Sequence, residues 1–367
     1  GAVGGTYQSF ELVPVYGVDE SFGTAFDIST DEHFQHLADL KFGSGQNRYS
    51  FDNSFGSNQQ GLYFRDWNSW DSWDTDHFGK SRAWAASPNN PRDFFERGST
   101  WSNGIALDGG NDRATFRLAY NRLDQSGIFP NSTLKRNTVS FNGDAKLSEK
   151  LQAFVGVNYV GNSAVGRSST GYDGDGLNVA QMFNQWWHRE LVIDDLRAYK
   201  NPDGSQRTWN RISATNPNPQ YWDNPYWTRY ENFENDSRNR VFGNMGITWK
   251  LNTWLSLTGR VLKDFYSEQR EERIAVGSIG TSSYSEDVYR LDETNVDAIL
   301  RADKYLLNDK LNVSAFVGGN KRWNSLDRSY GATRGGLNVP GLYRVQNSLE
   351  RPDVQNQLTK REVESLF

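Results

Sequence analysis

The chain has 367 residues, rich in aromatics and glycine (13 Trp, 17 Tyr, 21 Phe, 34 Gly) but with only 2 Met and no Cys. Net charge is -5 with Lys and Arg scattered, so no basic stripe marks a nucleic-acid surface. The missing Cys excludes disulfides and thiolate chemistry, and no run reaches the ~18 apolar residues that a spanning helix needs.

Mean hydropathy is -0.76. That value still admits a membrane barrel, where each lipid-facing side chain is followed by a lumen-facing one. The opening Gly1-Ala2-Val3-Gly4-Gly5 has neither a charged nor an apolar leader region. Any secretory signal is therefore expected upstream. Residues 1–30 are left unassigned, and a barrel section is expected over 31–367. His33 and His36 sit at i, i+3 and read as a helix face or loop. Four His and no Cys argue against structural zinc.

A tight turn is expected at Gly43–Asn47, then a long connection over about 58–98. Inside it, Trp67, Trp70 and Trp73 repeat every third residue among carboxylates. Two readings stay open there: a ligand- or partner-contacting platform, since flat rings stack on sugars and on apolar peptide groups, or packing within the loop.

Strict alternation begins next. Ala114, Phe116, Leu118 and Tyr120 alternate with Arg113, Thr115 and Arg117. Val139, Phe141, Gly143 and Ala145 alternate with Ser140, Asn142 and Asp144. After the turn Ser148–Lys150 come Ala153, Val155, Val157 and Tyr159. The pattern recurs over 240–251, 255–261, 295–303 and 311–317. Each segment reads as a strand of about 10–13 residues, suited to a tilted transmembrane strand of ~9–11. Trp249, Trp254, Tyr159, Tyr120, Phe265 and Tyr266 gather near strand ends, as interfacial rings do. The strand count is ten or eleven.

Turns alternate short and long. Gly109, Gly110 and Asn111 open one short turn and do not form a phosphate loop, because no helix start follows. Others fall at 148–150, 252–253 and 308–310. Long, external connections are expected at about 162–237, 267–290 and 322–358, with a lesser one at 125–134. Short turns on one side and long loops on the other are the asymmetry of an outer-membrane barrel.

The 162–237 loop carries most other candidates. Asp173 and Asp175 are weak calcium candidates, lacking the Glu of an EF-hand loop. Met182, Phe183, Trp186, Trp187 and Glu190 follow a helical spacing. Trp186, Trp187, His188, Trp209 and Trp222 are candidate contacts to a ligand or partner. Asn224, Pro225, Tyr226 and Trp227 read as an architectural motif, stiffened by proline. Arg113, Arg117, Arg240, Arg260 and Arg301 read as solvated charges on the interior wall. No GxSxG, HExxH or Walker motif occurs, so no enzyme is expected.

Several stretches together resemble the SusC/RagA family of TonB-dependent importers. They include Asn90-Pro91-Arg92-Asp93-Phe94, Leu107-Asp108-Gly109-Gly110-Asn111, Gly127-Ile128-Phe129-Pro130-Asn131, Asn201-Pro202-Asp203-Gly204, Asn224-Pro225-Tyr226-Trp227 and Val339-Pro340-Gly341-Leu342-Tyr343. The match is strongest over 91–367. The resemblance implies an all-β, transmembrane antiparallel β-barrel, part of a 22-stranded one. It implies a plug, energisation by TonB, a SusD-like surface lipoprotein partner, and location in the outer membrane of a Gram-negative bacterium. The implied cargo is oligosaccharides or peptides, and no cofactor is implied. Nothing in the chain matches the plug, the TonB box or the second half of the barrel. The sequence is therefore expected to belong to a longer chain or to have partner segments elsewhere. The alternative role is a structural or docking β-barrel subunit of a larger outer-membrane complex. A soluble glycan-binding β-protein is a third reading.

Overall fold

The computed structural model describes residues 63–64, 66–80, 82–83, 87, 91–172, 174–185, 191–212, 216–308 and 310–367. The unassigned segment 1–30, His33, His36 and the turn at 43–47 lie outside them.

Alternating apolar and polar residues make strands here because successive side chains point to opposite faces. Two short strands, β1 (Tyr63–Phe64) and β2 (Arg82–Ala83), pair antiparallel. Nine long strands follow: β3 (Ser99–Gly110), β4 (Ala114–Ser126), β5 (Thr133–Lys146), β6 (Leu151–Arg167), β7 (Phe233–Lys250), β8 (Leu255–Ile274), β9 (Ser283–Leu306), β10 (Leu311–Ala332) and β11 (Asp353–Leu366). They form one antiparallel nine-stranded sheet in strict sequence order, with β3 and β11 at its edges. The sheet is not closed on itself. No described helix is long and apolar enough to cross a membrane.

One face of this sheet is apolar and bare. Val139, Phe141 and Val157 are 36%, 37% and 36% exposed, and Val155 beside them is half-buried. In a soluble sandwich these residues would lie dry between two sheets about 10 Å apart. Among the described residues no second sheet covers them. The described residues thus place no dry, stacked core over this face.

The register gives the tilt of the strands. Ala114, Ala145, Ala153, Ile247, Gly259, Ala298 and Gly319 face one another in a row from β4 to β10. Ala114 is the first residue of β4. On β10 the strand begins at Leu311, eight residues before Gly319. The turn end of the sheet thus slips eight residues in six strand steps. With ~3.4 Å per residue and ~4.8 Å between strands, the slope is about 40°. That lies within the ~35–45° tilt of membrane barrels. The bare apolar side chains slip with it, from Phe116, Leu118 and Tyr120 on β4 to Leu311, Val313 and Val317 on β10. A membrane plane oblique to the hydrogen-bond rows accounts for both drifts.

The short turns span 111–113, 147–150, 251–254 and 307–310, and the other end carries 127–132, 168–232, 275–282 and 333–352. Two expected loops are corrected. The connections placed at 267–290 and 322–358 shrink to 275–282 and 333–352, because β8, β9 and β10 run for 20, 24 and 22 residues. A bilayer needs only ~9–11, so the expected 10–13 residues is too short. Beyond the apolar band the outer face of these strands turns polar at Lys263, Thr294 and Trp323, which share one row. The upper half therefore stands clear of lipid, where a period-two signal loses its apolar partner and reads as loop.

Gly109 and Gly110 end strand β3 and are not turn residues. A Cβ on Gly109 would sit 2.5 Å from the Phe116 ring on the neighbouring strand. Asn111 makes the turn, its Oδ1 accepting from the backbone N–H of Arg113 and Ala114 at 2.8 and 2.9 Å.

The long-loop end has its own core. Three short helices, α1 (Val179–Gln185), α2 (Ile193–Leu196) and α3 (Pro225–Tyr230), lie in 168–232. Trp67, Phe94, Val179, Met182, Leu191, Ile193, Leu196, Trp209, Trp222 and Tyr226 pack together there, fully buried. Each such side chain removed from water contributes about 1.5–3 kcal/mol. The loops are thus one packed layer.

Candidate functional site

The interior face of the sheet is a wall of paired charges. Arg260 grips Asp297 with two hydrogen bonds of 2.8 and 2.9 Å. Arg240 pairs with Asp264 and Arg328 with Asp287. Near the loop end Glu268, 4% exposed, accepts from both Arg238 and Arg270 at 2.7 Å. Arg167 pairs with Asp236. Fixed pairs keep the wall hydrated without a net field. The expectation of simply solvated arginines is corrected for Arg117, Arg240 and Arg260, each of which holds a carboxylate.

The pairs near the loop end, Arg167–Asp236 and Glu268 with Arg238 and Arg270, line a cleft of about 630 Å³ running from β5 to β8. Its walls include Arg136, Asn162, Arg167, Asp236, Arg238, Glu268, Arg270 and Glu272. Sequence reading passed over these residues. The signal was present, since Glu268, Arg270 and Glu272 alternate with Ser267, Gln269 and Glu271, but both sets are polar and no apolar face announces the strand.

The expected contact residues are placed as follows. Trp67, Trp209 and Trp222 are 2%, 4% and 5% exposed. None offers a free indole face, so the platform reading is corrected for Trp67 and the contact reading for Trp209 and Trp222: each is a core residue of the loop layer. Trp70 is half-buried and Trp73 is exposed. The carboxylates between them have local work. Asp66 caps the 3-10 turn Trp67–Trp70 through the Trp67 N–H. Asp71 and Asp74 hold Arg207 at 2.7 and 2.5 Å, and its guanidinium lies 5.6 Å over the Trp67 ring. That pair ties segment 66–79 to the 168–232 loop. Trp186, Trp187, His188 and Asp173 lie outside the described residues. Asp175 is exposed, and no cluster of three metal-ligating side chains occurs among the described residues.

Asn224 starts α3 and is fully buried. Its Oδ1 accepts from the Tyr226 N–H, while its Nδ2 donates to the carbonyls of Leu196 and Arg207. Pro225 follows at the first helical position, where its missing N–H costs nothing. Tyr226 meets Phe94 edge to face at 5.0 Å. Trp227 donates through Nε1 to Ser278 at 2.8 Å. The four residues thus join three loops.

Asp223, beside them, is 1% exposed and faces no cation among the described residues. It accepts from Gln206 Nε2, Ile279 N–H and Asn232 Nδ2 at 2.9, 3.0 and 3.3 Å. Burial outweighs these donors and pushes its pKa up to about 7. A folded-state pKa above the unfolded value of 3.8 means that the folded loop binds the extra proton. Stability is therefore greatest below about pH 4, falls as pH rises toward 7, and then levels. Hydrogen exchange at 275–282, corrected for intrinsic rate, is expected to be slower at pH 5 than at pH 8. In Asp223→Asn that difference should vanish; an unchanged difference sinks the assignment.

The class follows from the geometry: this is a section of an antiparallel β-barrel wall, with a lipid-ready face, a charged interior face and a packed loop layer. No family model matches the sequence, and no curated protein matches it. Solved structures do. A chain of the RagAB peptide transporter aligns with a TM-score of 0.58 at 14% identity, covering 82% of this chain and 33% of that one. In the "closed-closed" state of the RagAB peptide importer the values are 0.57, 15%, 80% and 32%. In its "open-open" state they are 0.61, 16%, 90% and 36%. The chain spans about a third of the length of these solved chains. At such identity the likeness is one of fold.

Proposed function

We propose that the chain forms part of the barrel wall and external loops of a SusC/RagA-family, TonB-dependent importer in the outer membrane of a Gram-negative bacterium. Its cargo is oligosaccharides or peptides, received together with a SusD-like lipoprotein. The single supporting observation is the two-faced sheet. One face is bare and apolar at a tilt of about 40°, and the other is lined with ion pairs such as Arg260–Asp297. Such a wall passes polar cargo without chemistry on it. The loop layer narrows the external mouth and gives the lipoprotein a firm base. TonB acts on a plug, and the wall residues serve as its static socket.

Deleting the TonB-contacting region of the full-length gene is expected to abolish growth on the cargo as sole nutrient while leaving the barrel in the membrane. Unchanged growth with normal barrel levels defeats the import reading and leaves a docking role.

A further inference from the structure

We infer that the outward face of β3 to β5 carries a seat for a phosphorylated glycolipid of the surrounding outer leaflet, built from Trp101, Asn103, Arg122, Asp124, Lys135 and Asn137. This rests on the outer-membrane reading and adds a lipid ligand to it.

The six residues stand in two adjacent rows across the sheet. Asn103, Arg122 and Asn137 face one another in the lower row, and Trp101, Asp124 and Lys135 in the upper. They share the face of Ile105, Tyr120, Val139 and Tyr159, which form the next row down. Two strand spacings of ~4.8 Å and one two-residue step of ~7 Å enclose the patch.

Its depth is that at which lipid headgroups begin. A strand tilted by about 40° climbs ~2.6 Å per residue, so the ~25 Å apolar band takes up roughly ten residues. Asp124 stands ten residues beyond Ala114, the first of β4. The rings of Tyr120 and Tyr159 lie just beneath, as interfacial rings do.

Charge singles the patch out. Along the outward face of β3 to β7, Arg122, Asp124 and Lys135 are the only charged residues among those described. Asp124 is taken up by Arg122, which donates to both its oxygens at 2.8 and 2.7 Å. The same guanidinium donates to Asn137 Oδ1 at 3.1 Å, as does the Tyr120 hydroxyl at 2.9 Å. Lys135 is exposed, and no carboxylate pairs with it among the described residues. The patch therefore keeps a surplus positive charge. Over β8 to β11 the outward face carries as many carboxylates as cations, with Lys263 held by Asp292, Arg290 by Asp327 and Lys321 by Glu362 and Glu364.

An ammonium without a partner at that depth suits a lipid phosphate. Beside it the Trp101 ring, 70% exposed, offers a flat face on which a sugar stacks, and Asn103 and Asn137 supply amides for its hydroxyl groups. The acyl chains run down over Ile105, Leu107 and Leu118, which are bare on the same side. A plain phospholipid would satisfy Lys135 and leave the indole unused.

The test uses the full-length protein in phosphatidylcholine nanodiscs doped with one of three lipids: diphosphoryl lipid A, the same lipid without its phosphates, or phosphatidylglycerol. Native mass spectrometry reads the lipid retained. Diphosphoryl lipid A is expected to be held best of the three. Lys135→Gln should weaken it about fivefold, the worth of one basic side chain at a lipid surface, and leave the dephosphorylated lipid unchanged. Trp101→Ala should weaken both glycolipids and leave phosphatidylglycerol unchanged. Lys263→Gln removes the same charge from the paired strip and should change nothing. All three side chains point outward, and a heat-modifiable band confirms each fold. Equal retention of the dephosphorylated lipid or of phosphatidylglycerol overturns the seat. So does displacement of lipid A by excess inorganic phosphate, or a Lys135→Gln or Trp101→Ala variant that behaves like Lys263→Gln. Those results leave TonB-dependent growth untouched. Recovery of the protein without detergent would instead sink the outer-membrane reading itself.

Discussion

Met245→Arg is expected to destabilise the folded barrel in lipid by about 2–4 kcal/mol, whereas Asn244→Arg costs under about 1 kcal/mol. The two positions are adjacent in β7 and differ only in the face they occupy. Met245 sits mid-band in the row Phe116, Gly143, Val155, Met245, Val261 and Val296, and it is 58% exposed on the bare side. A guanidinium there must enter hydrocarbon or drag water with it. The Asn244 position opens on the interior, where arginines already stand among carboxylates. Urea unfolding in lipid vesicles, followed by tryptophan fluorescence, reads both variants. Equal effects, or the reverse order, would remove the membrane assignment of that face.

Arg229→Met is the second large effect, expected to cost about 3 kcal/mol, confined to the loop layer. Arg229 lies in the last turn of α3 and is 2% exposed. No carboxylate pairs with it among the described residues. Its guanidinium donates instead to the carbonyls of Pro130 at 3.0 Å, Arg167 at 3.3 Å and Gly166. It also lies 5.4 Å over the Phe129 ring, and Asn131 donates back to its carbonyl at 2.9 Å. One side chain so rivets the 127–132 turn and the bulged end of β6 to the long loop. Hydrogen bonds from a charged donor are worth about 1.5–3 kcal/mol each, less the cost of burying the charge. Methionine fills similar volume and leaves three carbonyls unsatisfied. Limited proteolysis should cut the variant within 168–232 while the sheet stays heat-modifiable. Arg229→Lys should recover only part of the loss, since one ammonium cannot reach three carbonyls in a fork. A fully resistant Arg229→Met loop layer contradicts the rivet.

The two residues mark how far the sequence was readable. Met245 belongs to a run in which apolar and polar residues alternate with period two, and that run carries strand, face and solvent at once. Arg229 gave no signal. Its partners are carbonyls 62 to 99 residues away, and any residue type carries a carbonyl. Trp67, Trp209 and Trp222 gave a misleading one. The indole of Trp67 amid Asp and Asn looks like an exposed platform until Arg207, held by Asp71 and Asp74, is seen lying over its ring.

The amino-acid order by itself determined the period of the long segments, which of their faces is apolar, and the sorting of short turns from long loops. These are local properties, set by a side-chain repeat of two residues and by turn-forming Gly, Asn and Asp. Only the tertiary structure decided the length of β8 to β10 above the bilayer, the burial of the loop tryptophans, and the gathering of Arg136, Arg238 and Glu268 along one cleft. Those depend on register between strands far apart in the chain, and register is fixed by hydrogen bonds between backbones, which no single segment encodes.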